Sequence, residues 1–268
     1  MIIVKEFPDR KFETKEELFT ALRENKADLI ATKKMQLKQT DSVFQVMHEV
    51  IKTDSTKAEE QTQENVNRLK AELVINTTNI MDSHSDVHLK GIWNKTVKEQ
   101  KNLYLLQEHK MTFDHIISDN VSAKVVEMKW SDLGFNYKGT TEALIFDSTI
   151  DKGRNPFMFE QYSKGYVKEH SVGMRYTKLE LAINSENKYD KEEKEVWDKY
   201  FDQIVNKEQA EEQGYFWAVQ EAKVIEGSAV VKGSNHATPT ISVEAVKDTP
   251  TTEPTEVTQT IKRKLSVI

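Results

Sequence analysis

The chain has no cysteine, and its 268 residues include only 5 prolines and 9 glycines. The missing thiol excludes disulfide bridges, a cysteine nucleophile and thiolate zinc sites, and it fits a cytosolic protein best. The N-terminus carries a single short apolar run, Ile2 to Val4, so neither a signal peptide nor a membrane span is expected there. A basic excess is also lacking, since the net charge is −6, and nucleic acid is therefore not expected as a specific partner.

The N-terminal part of the chain predicts a helix with a small apolar face. Thr14 and Glu17 match a capping box, in which a hydroxyl and a carboxylate three residues later bond the exposed amides of a helix start. Apolar residues follow at helical spacing but give too small a face for an independent core: Leu18, Phe19 and Leu22. The Gln-, Glu- and Lys-rich segment 55–72 predicts an exposed helix or linker. We therefore expect residues 1 to about 50 to dock or assemble as an appendage.

From about residue 71 the pattern changes to short apolar or alternating runs, which are typical of strands in a sandwich or barrel. The clearest runs are 73–77, 103–107, 123–130, 143–149, 166–183 and 215–231. Segments 91–101 and 156–164 predict helices instead. The best-marked helix runs from Asp190 as N-cap to Gly214 as C-cap. The Thr-, Pro- and Glu-rich residues 247–268 predict a disordered tail.

Three polar residues in these strands suit a serine hydrolase. His109 ends the strand that begins at Leu103, where a base can reach a cleft, although spacing alone also fits a surface histidine. Ser171 is followed by Gly173, whose missing side chain would leave room for substrate backbone, although composition alone also fits a structural serine. Glu226 interrupts an apolar strand, and a buried carboxylate needs a partner such as an imidazolium, an Arg, a Lys or a backbone amide.

Other arrangements are less well marked. His170 adjoins Ser171 on a strand, so their side chains are expected on opposite faces and His170 is a poor base for that serine. A metal hydrolase using His84 and His88 is a further alternative, but no Glu stands between them in the zinc-peptidase arrangement and no third ligand is marked. The Gly-x-Ser-x-Gly elbow of the α/β-hydrolases is absent. The remaining histidines have no supporting context: His48, His115 and His236.

Four segments, taken in chain order, resemble the prohead (capsid maturation) serine protease family of tailed phages, which is related in fold to the herpesvirus assembly proteases. Segment 82–93 looks like the family's turn and helix start, and Leu-Leu-Gln-Glu-His at 105–109 looks like its strand ending in the base histidine. Gly-Tyr-Val-Lys-Glu-His-Ser-Val-Gly-Met at 165–174 is similar to its nucleophile strand and is the strongest match. Segment 226–237, beginning Glu-Gly-Ser-Ala-Val-Val, is similar to the strand that carries the third catalytic member.

The resemblance implies an α+β fold with a mostly antiparallel, herpesvirus-protease-like β-barrel and flanking helices over residues 71–246. Residues 1–70 would be a helical N-terminal extension and linker, and 247–268 a disordered tail. It implies Ser171 as nucleophile, His109 as general base and Glu226 as third member, with Glu221 as the substitute for Glu226. Backbone amides near Gly173 are candidates for stabilising the oxyanion, and Arg175 is a weaker one.

The resemblance further implies a serine endopeptidase that needs no cofactor and no metal and acts in the host cytoplasm, inside the assembling procapsid. Its substrates would be the major capsid protein, scaffold segments and its own chain. Portal or other procapsid components are further candidate partners, and the protein would be an oligomer in the procapsid, without a membrane or specific nucleic acid. The main alternative is a non-catalytic scaffold or internal head assembly protein with the same fold, which the long polar helices also fit.

Overall fold

The computed structural model describes residues 1–37, 66–99 and 102–246. The helices in these ranges are α1 (Lys15–Glu24), α2 (Lys26–Met35), α3 (Asn94–Glu99), α4 (Pro156–Ser163), α5 (Lys191–Tyr200) and α6 (Lys207–Gln213). The strands are β1 (Arg68–Thr77), β2 (Asp86–His88), β3 (Leu105–Gln107), β4 (Ile116–Ser118), β5 (Val121–Lys129), β6 (Thr140–Asp151), β7 (Glu169–Ile183), β8 (Tyr215–Val230) and β9 (Thr240–Val246). The chain is therefore α+β, as the sequence predicts. The tail at 247–268, predicted to be disordered, lies outside the described residues.

The strands form two sheets. The first is antiparallel and has the order β5-β6-β1-β9. In the second sheet, β7 pairs antiparallel with β8 along its whole length. β2 and β3 pair in parallel with different ends of β8, and β4 pairs antiparallel with β3. Over the described ranges neither sheet closes on itself, so the barrel expected from the sequence is not confirmed.

One apolar core joins the facing sides of the two sheets. Side chains alternate across a strand, and β1 accordingly supplies every second residue to this core: Leu69, Ala71, Leu73 and Ile75. At Gly227 in β8 the packing is so close that a Cβ would lie 2.6 Å from Cε2 of Phe146. Because Gly227 faces the core, its neighbours Glu226 and Ser228 face the other side of the sheet. That outer side carries the candidate site.

The N-terminal segment docks against the rest of the protein, because α1 packs into the same core. Four buried residues of α1 belong to the core cluster: Leu18, Phe19, Ala21 and Leu22. Thr14 caps α1 by accepting from the amide of Glu17, but the Glu17 carboxylate accepts from the amide of Glu13, so the predicted capping box is only half formed. The predicted linker also ends earlier than expected, because residues 68–72 belong to β1 and pair with both β6 and β9.

The prediction of one continuous helix over 190–214 is wrong, because the helix is interrupted between α5 and α6. Asn206 causes the break by accepting from the amide of Met81 (2.9 Å) and donating to its carbonyl (2.9 Å), which ties the interruption to the chain beside β2. Asp190 precedes α5 without capping it through its side chain, and it instead accepts from Arg23 of α1. Gly214 ends α6 in the left-handed conformation, as predicted. None of the described helices has the length and apolar character needed to cross a membrane.

Candidate active site

His109 lies in a strained turn just after β3. Glu108 and His109 have φ angles of 51° and 56°, and the amide of Lys110 donates to the carbonyl of Gln107 (3.1 Å) across the turn. The left-handed conformation costs a non-glycine residue about 1–2 kcal/mol, and such strain is concentrated at functional sites. The turn folds the imidazole back towards β8.

The imidazole of His109 is bonded to the carboxylate of Glu226. Nδ1 lies 2.6 Å from Oε1, and both residues are almost fully buried. A carboxylate only accepts hydrogen bonds, so Nδ1 carries the hydrogen and the basic nitrogen of the neutral ring is Nε2. This is the arrangement in which a carboxylate orients a general base and stabilises the imidazolium formed when that base takes a proton.

The second carboxylate oxygen of Glu226 is held by Ser228. The Ser228 hydroxyl donates to Oε2 (2.6 Å) and accepts from the backbone amide of His109 (3.1 Å). Ser228 is completely buried. Both oxygens of the buried carboxylate therefore have a partner, which offsets much of the cost of removing it from water.

Gly173 of β7 makes the space that this carboxylate occupies. Gly173 pairs with Glu226 in the β7–β8 ladder, and a Cβ on it would lie 1.9 Å from Oε1 of Glu226. The sequence suggested that the missing side chain leaves room for substrate backbone, and that interpretation is wrong. The room is filled by the third member of the candidate triad.

Ser171 lies on the same face of the sheet as these groups. It pairs directly with Ser228, and residues opposite each other in an antiparallel pair have Cβ atoms about 4.5–5.5 Å apart on one face. Ser171 keeps 7% of its surface exposed and His109 keeps 9%, whereas Ser228 is 0% exposed. Of these two paired serines, Ser171 is thus the one that keeps some exposed surface.

The alternatives for the third member and the oxyanion partner lie elsewhere. Glu221 bonds Lys95 (3.0 Å) on the surface, and this bond, with another from Thr177, lowers the pKa of its carboxyl. Arg175 is exposed and follows Ser171 by four residues, which is roughly 13 Å along a strand. The geometry brings Glu226, and not Glu221, to His109.

His170 lies on the core side of β7, away from Ser171. Its Nδ1 is 3.2 Å from the carbonyl of Thr238 and its Nε2 is 3.0 Å from the hydroxyl of Tyr162. A neutral ring satisfies both contacts, with Nδ1 donating and Nε2 accepting. Complete burial lowers the pKa of His170 to about 4, although the bond to Thr238 opposes this shift. His170 therefore stays neutral and structural.

His88, one of the two histidines of the metal alternative, is part of a buried hydrogen-bond chain. Its Nδ1 is 3.1 Å from Oδ1 of Asn76, and its Nε2 is 3.1 Å from the hydroxyl of Tyr176, which donates to Asp86 (2.7 Å). Asp86 in turn bonds the buried ammonium of Lys33 (2.6 Å). Within the described ranges no group of three or more His, Asp or Glu residues is arranged to hold a metal ion.

Two features were not predicted from the sequence: Ser228 in the candidate site, and the buried Lys33–Asp86 pair outside it. Ser228 stands two residues after Glu226, so the alternation of a strand places it on the same face, and this spacing is the signal that could have identified it. The buried Lys33–Asp86 pair joins residues 53 positions apart, and no sequence pattern marks it.

A scan against protein-family models gave no match, and comparisons with curated proteins and with solved structures gave no match either.

Proposed function

We propose that this protein is a serine endopeptidase in which Ser171 is the nucleophile, His109 the general base and Glu226 the residue that orients the base. The observation that carries the proposal is the 2.6 Å bond between Nδ1 of His109 and Oε1 of Glu226 on the sheet face that also holds Ser171. A carboxylate-bound histidine in a strained turn, on the same sheet face as a serine, is the combination that acyl-transfer chemistry needs.

In the proposed reaction, Nε2 of His109 removes the proton of Ser171 Oγ as that oxygen forms a bond to the scissile carbonyl carbon. Glu226 stabilises the resulting imidazolium. The C–N bond then breaks, and the leaving amine takes the proton from Nε2, which leaves an acyl-enzyme. A water molecule then attacks the acyl carbon while His109 takes a proton from it. The acyl C–O bond breaks, and Ser171 takes the proton back from His109. Backbone amides near Gly173 are candidates to stabilise the oxyanion.

The biological role in this proposal follows the resemblance to prohead proteases. The substrates would be scaffold segments, the major capsid protein and the chain itself, inside the assembling procapsid. The two packed sheets with flanking helices would then correspond to the herpesvirus-protease-like barrel of that family.

A fluorophosphonate probe tests the catalytic proposal directly. Ser171 Oγ would form a P–O bond, the P–F bond would break, fluoride would leave and His109 would take the hydroxyl proton. Intact-mass and peptide mass spectrometry should place the adduct on Ser171. Ser171→Ala should remove it while the circular dichroism spectrum and melting temperature stay unchanged, and the exposed control Ser163→Ala should label normally. Labelling of Ser171→Ala at the wild-type rate would remove Ser171 from the mechanism.

A second candidate function is a non-catalytic scaffold or internal head assembly protein with the same fold. The observation that favours it is the small exposed fraction of Ser171 and His109, at 7% and 9%. A folded wild-type protein that neither reacts with the probe nor processes a co-expressed capsid protein would support this alternative over the protease.

A further inference from the structure

Ser228 connects the main chain of the candidate base to the side chain of the candidate acid. Its hydroxyl has one hydrogen, which goes to Oε2 of Glu226 (2.6 Å), and its oxygen accepts the backbone N–H of His109 (3.1 Å). The other carboxylate oxygen of Glu226 accepts from Nδ1 of the same histidine (2.6 Å). The three residues thus form a closed ring of hydrogen bonds that begins and ends at His109.

The ring depends on the left-handed turn. With a φ of 56°, His109 directs both its backbone amide and its imidazole towards β8, which a residue continuing the strand would not do. Two further bonds fix the turn to the same strand, since Glu108 donates its amide to the carbonyl of Ala229 (3.0 Å) and accepts from the amide of Val231 (3.1 Å). Besides Ser228 itself, the residues that follow it in the chain therefore also hold the strained turn in place.

We propose that Ser228 is a positioning residue, which fixes the Glu226 carboxylate and the His109 turn in the geometry that activates Ser171. This inference rests on the proposed function and adds a fourth residue to it. Ser228 is fully buried and both functions of its hydroxyl are used within the ring, so it acts through Glu226 and His109 and not on substrate. Ser228 also differs from Ser171, which lies directly opposite in the ladder: Ser171 keeps 7% of its surface exposed and Ser228 keeps none.

The test is the rate of fluorophosphonate labelling of Ser171 in Ser228→Ala. The maximal labelling rate should fall about 10- to 100-fold, because a small misplacement of the base has effects of this size. The half-saturating probe concentration should stay within about twofold of wild type, since Ser228 does not touch the probe. Ser228→Thr keeps a hydroxyl at this position and should recover most of the rate.

The matched control is Ser148→Ala. Ser148 is also a buried serine in a strand, but its hydroxyl has no hydrogen-bond partner among the described residues, so deleting it should leave the labelling rate unchanged. An unchanged maximal rate in a folded Ser228→Ala protein would overturn the inference while leaving Ser171 as nucleophile. Absence of Ser171 labelling in the wild-type protein would instead reject the proposed function.

A measurement on the wild-type protein covers the case in which Ser228→Ala does not fold. The backbone amide of His109 should exchange with solvent at least about 100-fold more slowly than an unprotected amide, because Ser228 accepts it in a buried site. Its hydrogen on Nδ1 should give a slowly exchanging NMR signal in histidine-labelled protein. Exchange of the His109 amide at the unprotected rate would contradict the ring, whatever the activity of the protein.

Discussion

A Cβ on Gly173 would lie 1.9 Å from Oε1 of Glu226, so the glycine and the carboxylate occupy one site in the β7–β8 ladder. We expect Gly173→Ala to lower the free energy of unfolding by about 1–3 kcal/mol, as overpacking usually does. It should also abolish labelling of Ser171 by displacing the carboxylate from His109. Urea unfolding and probe labelling measure the two effects.

Gly153→Ala is the control for adding a methyl group, because its Cβ would meet only the Asp151 carboxylate, at 3.1 Å. That variant should label normally. A Gly173→Ala protein with normal stability and labelling would mean that the Glu226 side chain occupies a different position.

His109→Ala should reduce the labelling rate of Ser171 about 10²- to 10⁴-fold, the range for loss of a general base. Glu226→Gln should have a milder effect, because the amide oxygen can still accept from Nδ1 while the charge that stabilises the imidazolium is lost. Glu221→Gln is the control and should label at the wild-type rate, since Glu221 bonds Lys95 on the surface. Full labelling of Glu226→Gln together with loss in Glu221→Gln would reverse the two assignments.

Lys33 is buried on α2 and supplies the positive charge beside Asp86. Burial alone would lower the pKa of Lys33, but the charges of Asp86 and Glu6 outweigh it and raise that pKa above its ordinary 10.5. Lys33→Met should lower the free energy of unfolding by about 3–5 kcal/mol, because it leaves a buried carboxylate without its cation. The exposed neighbour Lys34→Met should change it by less than about 0.5 kcal/mol.

A lysine whose pKa is raised by folding contributes its full stabilisation at pH values below its pKa in the unfolded chain. That contribution is lost only as the pH rises through the raised pKa of the folded state. The contribution of Lys33 should therefore be constant between pH 6 and about 9. Equal destabilisation by Lys33→Met and Lys34→Met at neutral pH would show that the N-terminal segment does not depend on this ion pair.

His170 should make the protein acid-sensitive. Burial lowers its pKa from 6.5 to about 4, so the unfolded chain binds a proton between these values and the folded chain does not. Stability is therefore complete above pH 6.5 and falls as the pH drops towards 4, by about 3 kcal/mol from this group. Urea unfolding of wild type and His170→Gln at pH 7.5 and 4.5 measures the difference. An identical loss in both proteins would exclude His170 as its source.

The sequence determined the α+β class, because alternating apolar runs and capped helical segments are local patterns. The predicted strands correspond to β1, β3 and β5 to β8, with ends shifted by a few residues. The shorter strands β2 and β4 and the edge strand β9 were not predicted. Three-residue strands carry too little periodicity to be recognised, and β9 contains only half-buried and exposed residues.

Candidate residues for the site were also accessible from the sequence, since His109, Ser171 and Glu226 each stand out as polar residues at strand ends or within apolar strands. Strand alternation further separates Ser171 from His170 without any coordinates. The sequence left the choice between Glu226 and Glu221 open. That choice depends on which carboxylate lies within hydrogen-bond distance of His109 in the turn after β3.

Only the tertiary structure decided three features: the space at Gly173 is occupied by Glu226, Ser228 joins the base to the acid, and α2 contributes a buried cation to the core. Each joins residues that are distant in the chain, through pairing of β8 with β7 or β3 or through docking of the N-terminal helices. Local patterns reflect the free energy of a segment by itself. The sharing of one buried carboxylate by three elements is fixed only when those elements pack and exclude water.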